Sequence, residues 1–174
     1  SYLAGFFGGK YFVQRLTLDL KGRSRREIAE SWLRMLTASV RKHDRRHMIT
    51  VGVIPWILTF PRAKLLFYGR STSKYLDFVS VHFYPRKGEV KKAIRALRAY
   101  EIGKPLLVEE IFPLRCSIRE AINFIKETRF FADGYLSFYW GKTAEEYKRE
   151  SGIKAKIMAH WLKEFTSVMG GKSL

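Results

Sequence analysis

Cysteine and asparagine each occur once in the 174 residues, and 16 Asp and Glu face 33 Lys and Arg. The single Cys116 excludes an internal disulfide framework and any multi-cysteine metal site. No run of about 18 uncharged apolar residues is present, which excludes an ordinary membrane-spanning helix. The opening SYLAGFFGGKYF lacks a basic stretch followed by a long apolar one, so no signal peptide is read there and the compartment stays open. What is present argues for a folded domain. Hydrophobic residues make up 47% and aromatics 15%, too apolar a mixture for a disordered basic tail. The length suits one domain with a real core. The formal net charge of +17 suits a polyanion-binding surface, or simply a solvated one; it says nothing direct about fold.

Four short segments rich in β-branched and aromatic residues stand out: 48–53 (MITVGV), 76–83 (LDFVSVHF), 104–110 (KPLLVEE) and 134–140 (GYLSFYW). Their near-continuous hydrophobicity suits strands buried on both faces. They start roughly 30 residues apart, the length of one βα unit when eight units take roughly 250 residues, so successive strands should be parallel. Helical patterns fill most gaps. Ser24 and Glu27 form a capping box before Ile28, Trp32, Met35, Leu36 and Val40, the expected inward face. Val90, Ile94 and Leu97 carry a shorter stripe. Ser117 and Glu120 open a helix with Ile118, Ala121, Ile122 and Ile125 inward. A last helix is expected from about Thr143 through Ile153, Ile157, Trp161 and Phe165 to Gly170-Gly171. Residues 56–75 read as a long loop with at most a short helix, and the glycine-rich opening as a loop. This alternation argues for an α/β fold with a parallel sheet, either a small open sheet or half of an eightfold barrel.

Function collects at the carboxyl ends of strands in such folds. Those ends carry His82 and Tyr84, Glu109 and Glu110, Tyr139 and Trp140, with Trp56 near the first strand. A carboxylate beside an imidazole and flat aromatic rings is the equipment of a sugar-cleaving site, where rings stack on sugar faces. Strand alternation puts Leu106, Val108 and Glu110 on one face and Leu107 and Glu109 on the other, without choosing which face is functional. The bland alternatives are solvated or arginine-paired rim carboxylates, core aromatics and a satisfied buried histidine.

The segment Lys104-Pro-Leu-Leu-Val-Glu-Glu110 resembles the seventh strand of cellulase-like glycoside hydrolases, the retaining clan-A barrels. Residues 76–85 (LDFVSVHFYP) resemble their sixth strand, 41–52 (RKHDRRHMITVG) the run into their fifth, and 134–140 their eighth. Together the motifs cover about residues 25–145 in family order. The resemblance implies the second half of a TIM (β/α)8 barrel, strands five to eight. It would be a single partial domain over 1–174, with 1–23 as the loop after a missing fourth strand and 24–174 as a helix plus four βα units. It implies a retaining hydrolase of β-glycosidic bonds acting on an oligo- or polysaccharide, without cofactor or metal. Glu110 matches the nucleophile and Tyr84 the tyrosine that orients it. His82 matches a histidine of the same subsite, and Trp140 the platform under the sugar; Trp56 is a further candidate for stacking. Glu109 is assigned a structural hydrogen bond or ion pair.

Two departures matter. The family's acid/base is the Glu of an Asn-Glu pair, whereas Asn123 is followed by Phe124; the family layout would place the pair upstream of Ser1. Ile111 and Phe112 replace the commoner aromatic-then-glycine ending. A retaining site needs two carboxyls roughly 5–5.5 Å apart. Glu27, Glu30, Glu120 and Glu127 fall on helices, Asp77 and Asp133 at strand starts, and Asp19 is a poor stand-in. The chain is therefore expected to supply the nucleophile half and to be inactive alone. Its expected partner is a complementing half-barrel or a second copy. His43 and His47 read as a basic helix end rather than a metal site, and Cys116 as a packed residue. The rival reading is a basic, non-catalytic module binding carbohydrate or polyanion. Any association with nucleic acid would be nonspecific.

Overall fold

The computed structural model describes residues 2–7, 10–15, 20–59 and 63–170, the first two stretches as backbone alone. Those stretches correct the expectation of a loop over residues 1–23. They are antiparallel strands, β1 (Tyr2–Phe7) and β2 (Lys10–Arg15), paired from Tyr2↔Arg15 to Phe7↔Lys10. Two aromatic-rich runs around a Gly-Gly dipeptide are a hairpin signal, which the glycine content disguised as loop.

The body is α/β, and its sheet is wholly parallel. Strands β3 (Gly52–Val53), β4 (Val79–His82), β5 (Leu106–Ile111) and β6 (Gly134–Ser137) lie side by side in chain order. Before β3 runs α1 (Arg25–His43), and after it the single turn α2 (Trp56–Thr59). Helices α3 (Val90–Arg98) and α4 (Ile118–Thr128) follow β4 and β5, and α5 (Ala144–Lys148) and α6 (Ile153–Val168) follow β6. Among the described residues no helix is long and apolar enough to cross a membrane.

One face of the sheet is dry. Val79, Val81 and Phe83 alternate along β4 and just beyond it, and with Leu106, Val108 and Ile111 of β5 they pack against Ala93, Leu97, Ala121, Phe124, Ile125 and Trp161. Phe83 stacks on Phe124 with ring centroids 5.2 Å apart. The Trp161 indole meets Phe112 and Phe165 edge-on or tilted, and its N–H donates to Ser137 Oγ at 2.9 Å. Each such large side chain contributes about 1.5–3 kcal/mol by leaving water.

Both expected capping boxes form, Ser24 with Glu27 and Ser117 with Glu120, and Thr143 with Glu146 makes a third. Three expectations need correction. The buried row of α1 is Ala29, Leu33 and Thr37, whereas Trp32, Met35, Leu36 and Val40 are exposed. This i, i+4 row places Leu33 in the core, with Ala29 and Thr37 one turn to either side of it. The long last helix is two helices, broken at Gly152, whose φ of 112° is a conformation that glycine tolerates. The break turns Ile153 and Ile157 outward and buries Ala155, Met158 and Trp161.

The first expected strand, 48–53, is reduced to Gly52–Val53. The cause is Tyr68. Its hydroxyl donates to the Val51 carbonyl and accepts from the Ser80 N–H at 2.8 Å, standing where a direct ladder bond would run. Below it, Thr50 Oγ1 donates to the Phe78 carbonyl at 2.8 Å, and the Ile49 N–H donates to the Asp77 carboxylate at 2.6 Å.

Candidate active site at the carboxyl end of the sheet

Alternation along β4 sends Ser80, His82 and, just beyond the strand, Tyr84 to the face opposite Val79, Val81 and Phe83. On β5 the alternation breaks. Val81 pairs with Val108 but His82 pairs with Glu110, and on the other side Val108↔Tyr135 is followed by Ile111↔Ser137. One extra residue at Glu109-Glu110 is a β-bulge, a device that re-aims side chains. Ile111 thereby returns to the dry face with Leu106 and Val108, and both glutamates stay outside the buried core. Sequence alternation had assigned the two glutamates to opposite faces; the bulge is why that assignment fails.

The result is a chain of polar contacts across two strands. Glu109 accepts from Ser80 Oγ and lies 2.5 Å from His82 Nε2. His82 Nδ1 lies 3.4 Å from Glu110 Oε2, and the Tyr84 hydroxyl donates to that same oxygen at 2.8 Å. The imidazole thus stands between the two carboxylates. The side chains of His82, Glu109 and Glu110 remain 29%, 23% and 26% exposed. Burial, then the hydrogen bond to Glu110, then the nearby negative charge push the Tyr84 phenol above its ordinary range, so it is a proton donor at neutral pH. The Tyr84 ring is met edge-on by Phe138, centroids 6.2 Å apart.

Gly52 explains how Glu109 fits. A Cβ there would lie 1.8 Å from Glu109 Oε1 and 2.7 Å from His82 Nε2, so the pair rests on the bare backbone of β3. Glu109 is thereby held on three sides. Glu110 instead faces a cleft of about 350 Å³ lined by Ile54, Pro55, Leu58, His82, Tyr84 and Leu114, with Arg86 and Arg115 among the rest. Among the described residues its Oε1 accepts no hydrogen bond, while Oε2 is oriented from two directions. A carboxyl group with one oxygen fixed and the other open to a cleft can act as a nucleophile or as an anchor for a polar ligand.

Glu110, Tyr84 and His82 are therefore brought together. The two tryptophans are placed elsewhere: Trp56 lines a neighbouring cavity of about 340 Å³ with Ile57, Leu65, Phe67 and Tyr100, and Trp140 is fully exposed. Asp19 lies outside the described residues. Asp77 and Asp133 serve the opposite ends of the strands, accepting from Ile49 N–H and Arg41 and from Leu106 N–H. Glu120 caps α4, Glu27 caps α1, and Glu30 pairs with Lys74 at 3.0 Å. His47 Nδ1 is 2.7 Å from Asp44, and His43 ends α1. Burial, then the Glu120 carboxylate, push the Cys116 thiol up to about 11, which leaves it protonated and inert at neutral pH. Sequence reasoning missed Arg86 and Arg115, whose only signal was their position just after two strand ends. No family model, curated protein or solved structure matches the chain.

Proposed function

We propose that the chain carries the nucleophile half of a retaining β-glycoside hydrolase site, with Glu110 as nucleophile and Tyr84 as the residue that orients it. The observation that carries this reading is the Tyr84 hydroxyl donating to Glu110 Oε2 at 2.8 Å in a cleft at the carboxyl end of a parallel sheet. A phenol there fixes the carboxylate and leaves its other oxygen to attack an anomeric carbon. The architecture supports the half-barrel reading: strands run in chain order, and α3, α4 and α6 pack in one layer. A doubly wound sheet would reverse its strand order and divide its helices between two faces.

Among the described residues lining the cleft, Glu110 is the one acid. The acid/base carboxyl would come from a complementing half-barrel, so the chain alone should not turn over an ordinary glycoside. A non-catalytic sugar binder would share the cleft and lack the chemistry. Reaction with 2,4-dinitrophenyl 2-deoxy-2-fluoro-β-glucoside separates the two, because its leaving group needs no acid. Glu110 would bond to C1 as the dinitrophenolate departs with the electron pair. One fluoroglucosyl mass on Glu110, absent in Glu110→Gln, is expected. No adduct, or an adduct elsewhere, would overturn the nucleophile assignment.

A further inference from the structure

The cleft holds charge that this chemistry does not use. Arg86 follows β4 and Arg115 follows β5, and both line the cleft beside Glu110, His82 and Tyr84. One backbone bond and one bond to a carboxylate hold their loops in place. The Lys87 N–H donates to the Arg115 carbonyl at 2.8 Å, and the Gly88 N–H donates to Glu120 Oε1 at 2.7 Å. Glu120 also caps α4, so the β4–α3 loop is fastened to the start of a helix. Among the described residues Arg41 and Arg98 are the arginines that pair with carboxylates; Arg86 and Arg115, like the rest, pair with none, and what sets these two apart is that both line the cleft. With Glu110 as the lining acid, the cleft has one more cation than anion.

We infer that the cleft takes glycosides bearing an oxyanion, a carboxylate or a sulfate ester, next to the sugar ring presented to Glu110. This rests on reading the cleft as a sugar site. A guanidinium binds either group through parallel N–H donors, and such charge-assisted bonds are roughly twice as strong as neutral ones. The hydrocarbon of Ile54, Pro55, Leu58 and Leu114 suits the C–H face of a pyranose. A neutral sugar would leave the excess cation unanswered.

A chain of net charge +17 attracts any polyanion, so the test uses singly charged ligands at 0.15 M salt, roughly the ionic strength at which the Debye length is 8 Å. Binding of methyl β-glucoside, methyl β-glucuronide and methyl β-glucoside 6-sulfate is measured by titration NMR. The expected result is on the order of tenfold tighter binding of at least one anionic ligand than of the neutral one. The stronger of the two identifies carboxylate or sulfate. The preference should vanish in Arg86→Gln/Arg115→Gln and persist in Arg45→Gln/Arg46→Gln, which removes two charges from the far end of α1. Equal binding of all three ligands, binding of none, or loss of preference in the control variant would overturn the inference. Glu110 labelling by the neutral fluoroglucoside is read separately, so a failed anion preference with intact labelling rejects this inference alone. Anion preference without labelling rejects the nucleophile and keeps an anionic-sugar binder.

Discussion

The two ends of the parallel sheet use the same residue types for opposite purposes. At the amino ends the charged side chains bond to backbone groups, and Asp77 pairs with Arg41 as well. Asp133 accepts from the Leu106 N–H at 2.8 Å, Asp77 from the Ile49 N–H at 2.6 Å, and Lys104 donates to the Leu76 carbonyl at 2.7 Å. Each group stands in for a missing ladder partner and is satisfied by one or two neighbours. At the carboxyl ends Ser80, Glu109, His82, Glu110 and Tyr84 bond chiefly to one another, and Arg86 and Arg115 face the cleft without a carboxylate. Polar groups that complete the backbone stabilise the fold. Polar groups that satisfy one another and leave an atom open to a cleft are available for binding and chemistry.

Substitutions at the two ends should therefore separate activity from stability. The largest effect expected is in Glu110→Gln, which should abolish covalent labelling by the activated fluoroglycoside while leaving the thermal midpoint nearly unchanged. Loss of folding together with labelling would show that this end, too, is structural. Next is Tyr68→Phe. It strips a partner from the buried Ser80 N–H and the Val51 carbonyl, at about 1–3 kcal/mol for each group left unpaired. Urea titration should show that loss, with β3 amides exchanging first; an unchanged midpoint would mean that the strands close directly.

Asp133→Ala should cost about 1–3 kcal/mol by orphaning the Leu106 N–H, with labelling of Glu110 retained in the folded fraction. A stable variant with lost labelling would invert the comparison. Tyr84→Phe should slow labelling on the order of tenfold by releasing one carboxylate oxygen. An unaltered rate would remove Tyr84 from its positioning role.

The smallest effect concerns Glu120, whose N–H partners Gly88 and Ser117, followed by the Ser117 hydroxyl, hold its carboxyl down to about 2 from 4.5. A depressed folded value means the contribution is full above the unfolded value and is lost as pH falls through about 2. The Gly88 amide shift should then titrate with a midpoint near 2. A midpoint near 4.5 would show that the loop carrying Arg86 is not fastened to α4.

Much of this layout was legible in the residues. The spacing of the β-rich segments announced parallel βα units, because a crossover helix needs about that much chain. Ser24 with Glu27 and Ser117 with Glu120 marked two helix starts through purely local hydrogen bonds. His82, Tyr84 and Glu110 were readable as rim residues, since position along a strand is a one-dimensional property.

What only the tertiary structure decided were the choices among near-equal local alternatives. Glu109 and Glu110 are adjacent, and a bulge created by pairing with β4 and β6 on both sides overrode the two-residue period and aimed both beside His82. Tyr68, from a stretch read as loop, took over the ladder between β3 and β4 because its hydroxyl reaches across the gap. The face that α1 buries is the Ala29, Leu33 and Thr37 row rather than the more apolar one, because the side that meets the core is set by where the helix docks and not by its own stripe. Arg86 and Arg115, 29 positions apart in the chain, came to line one cleft through loops joined by a backbone bond and fastened by Glu120. The sequence by itself determined the periodicities, caps and chemical types, which depend on residues a few positions apart. Bulge, ladder substitute and charged cleft depend on contacts between distant segments, which exist only once the sheet has formed.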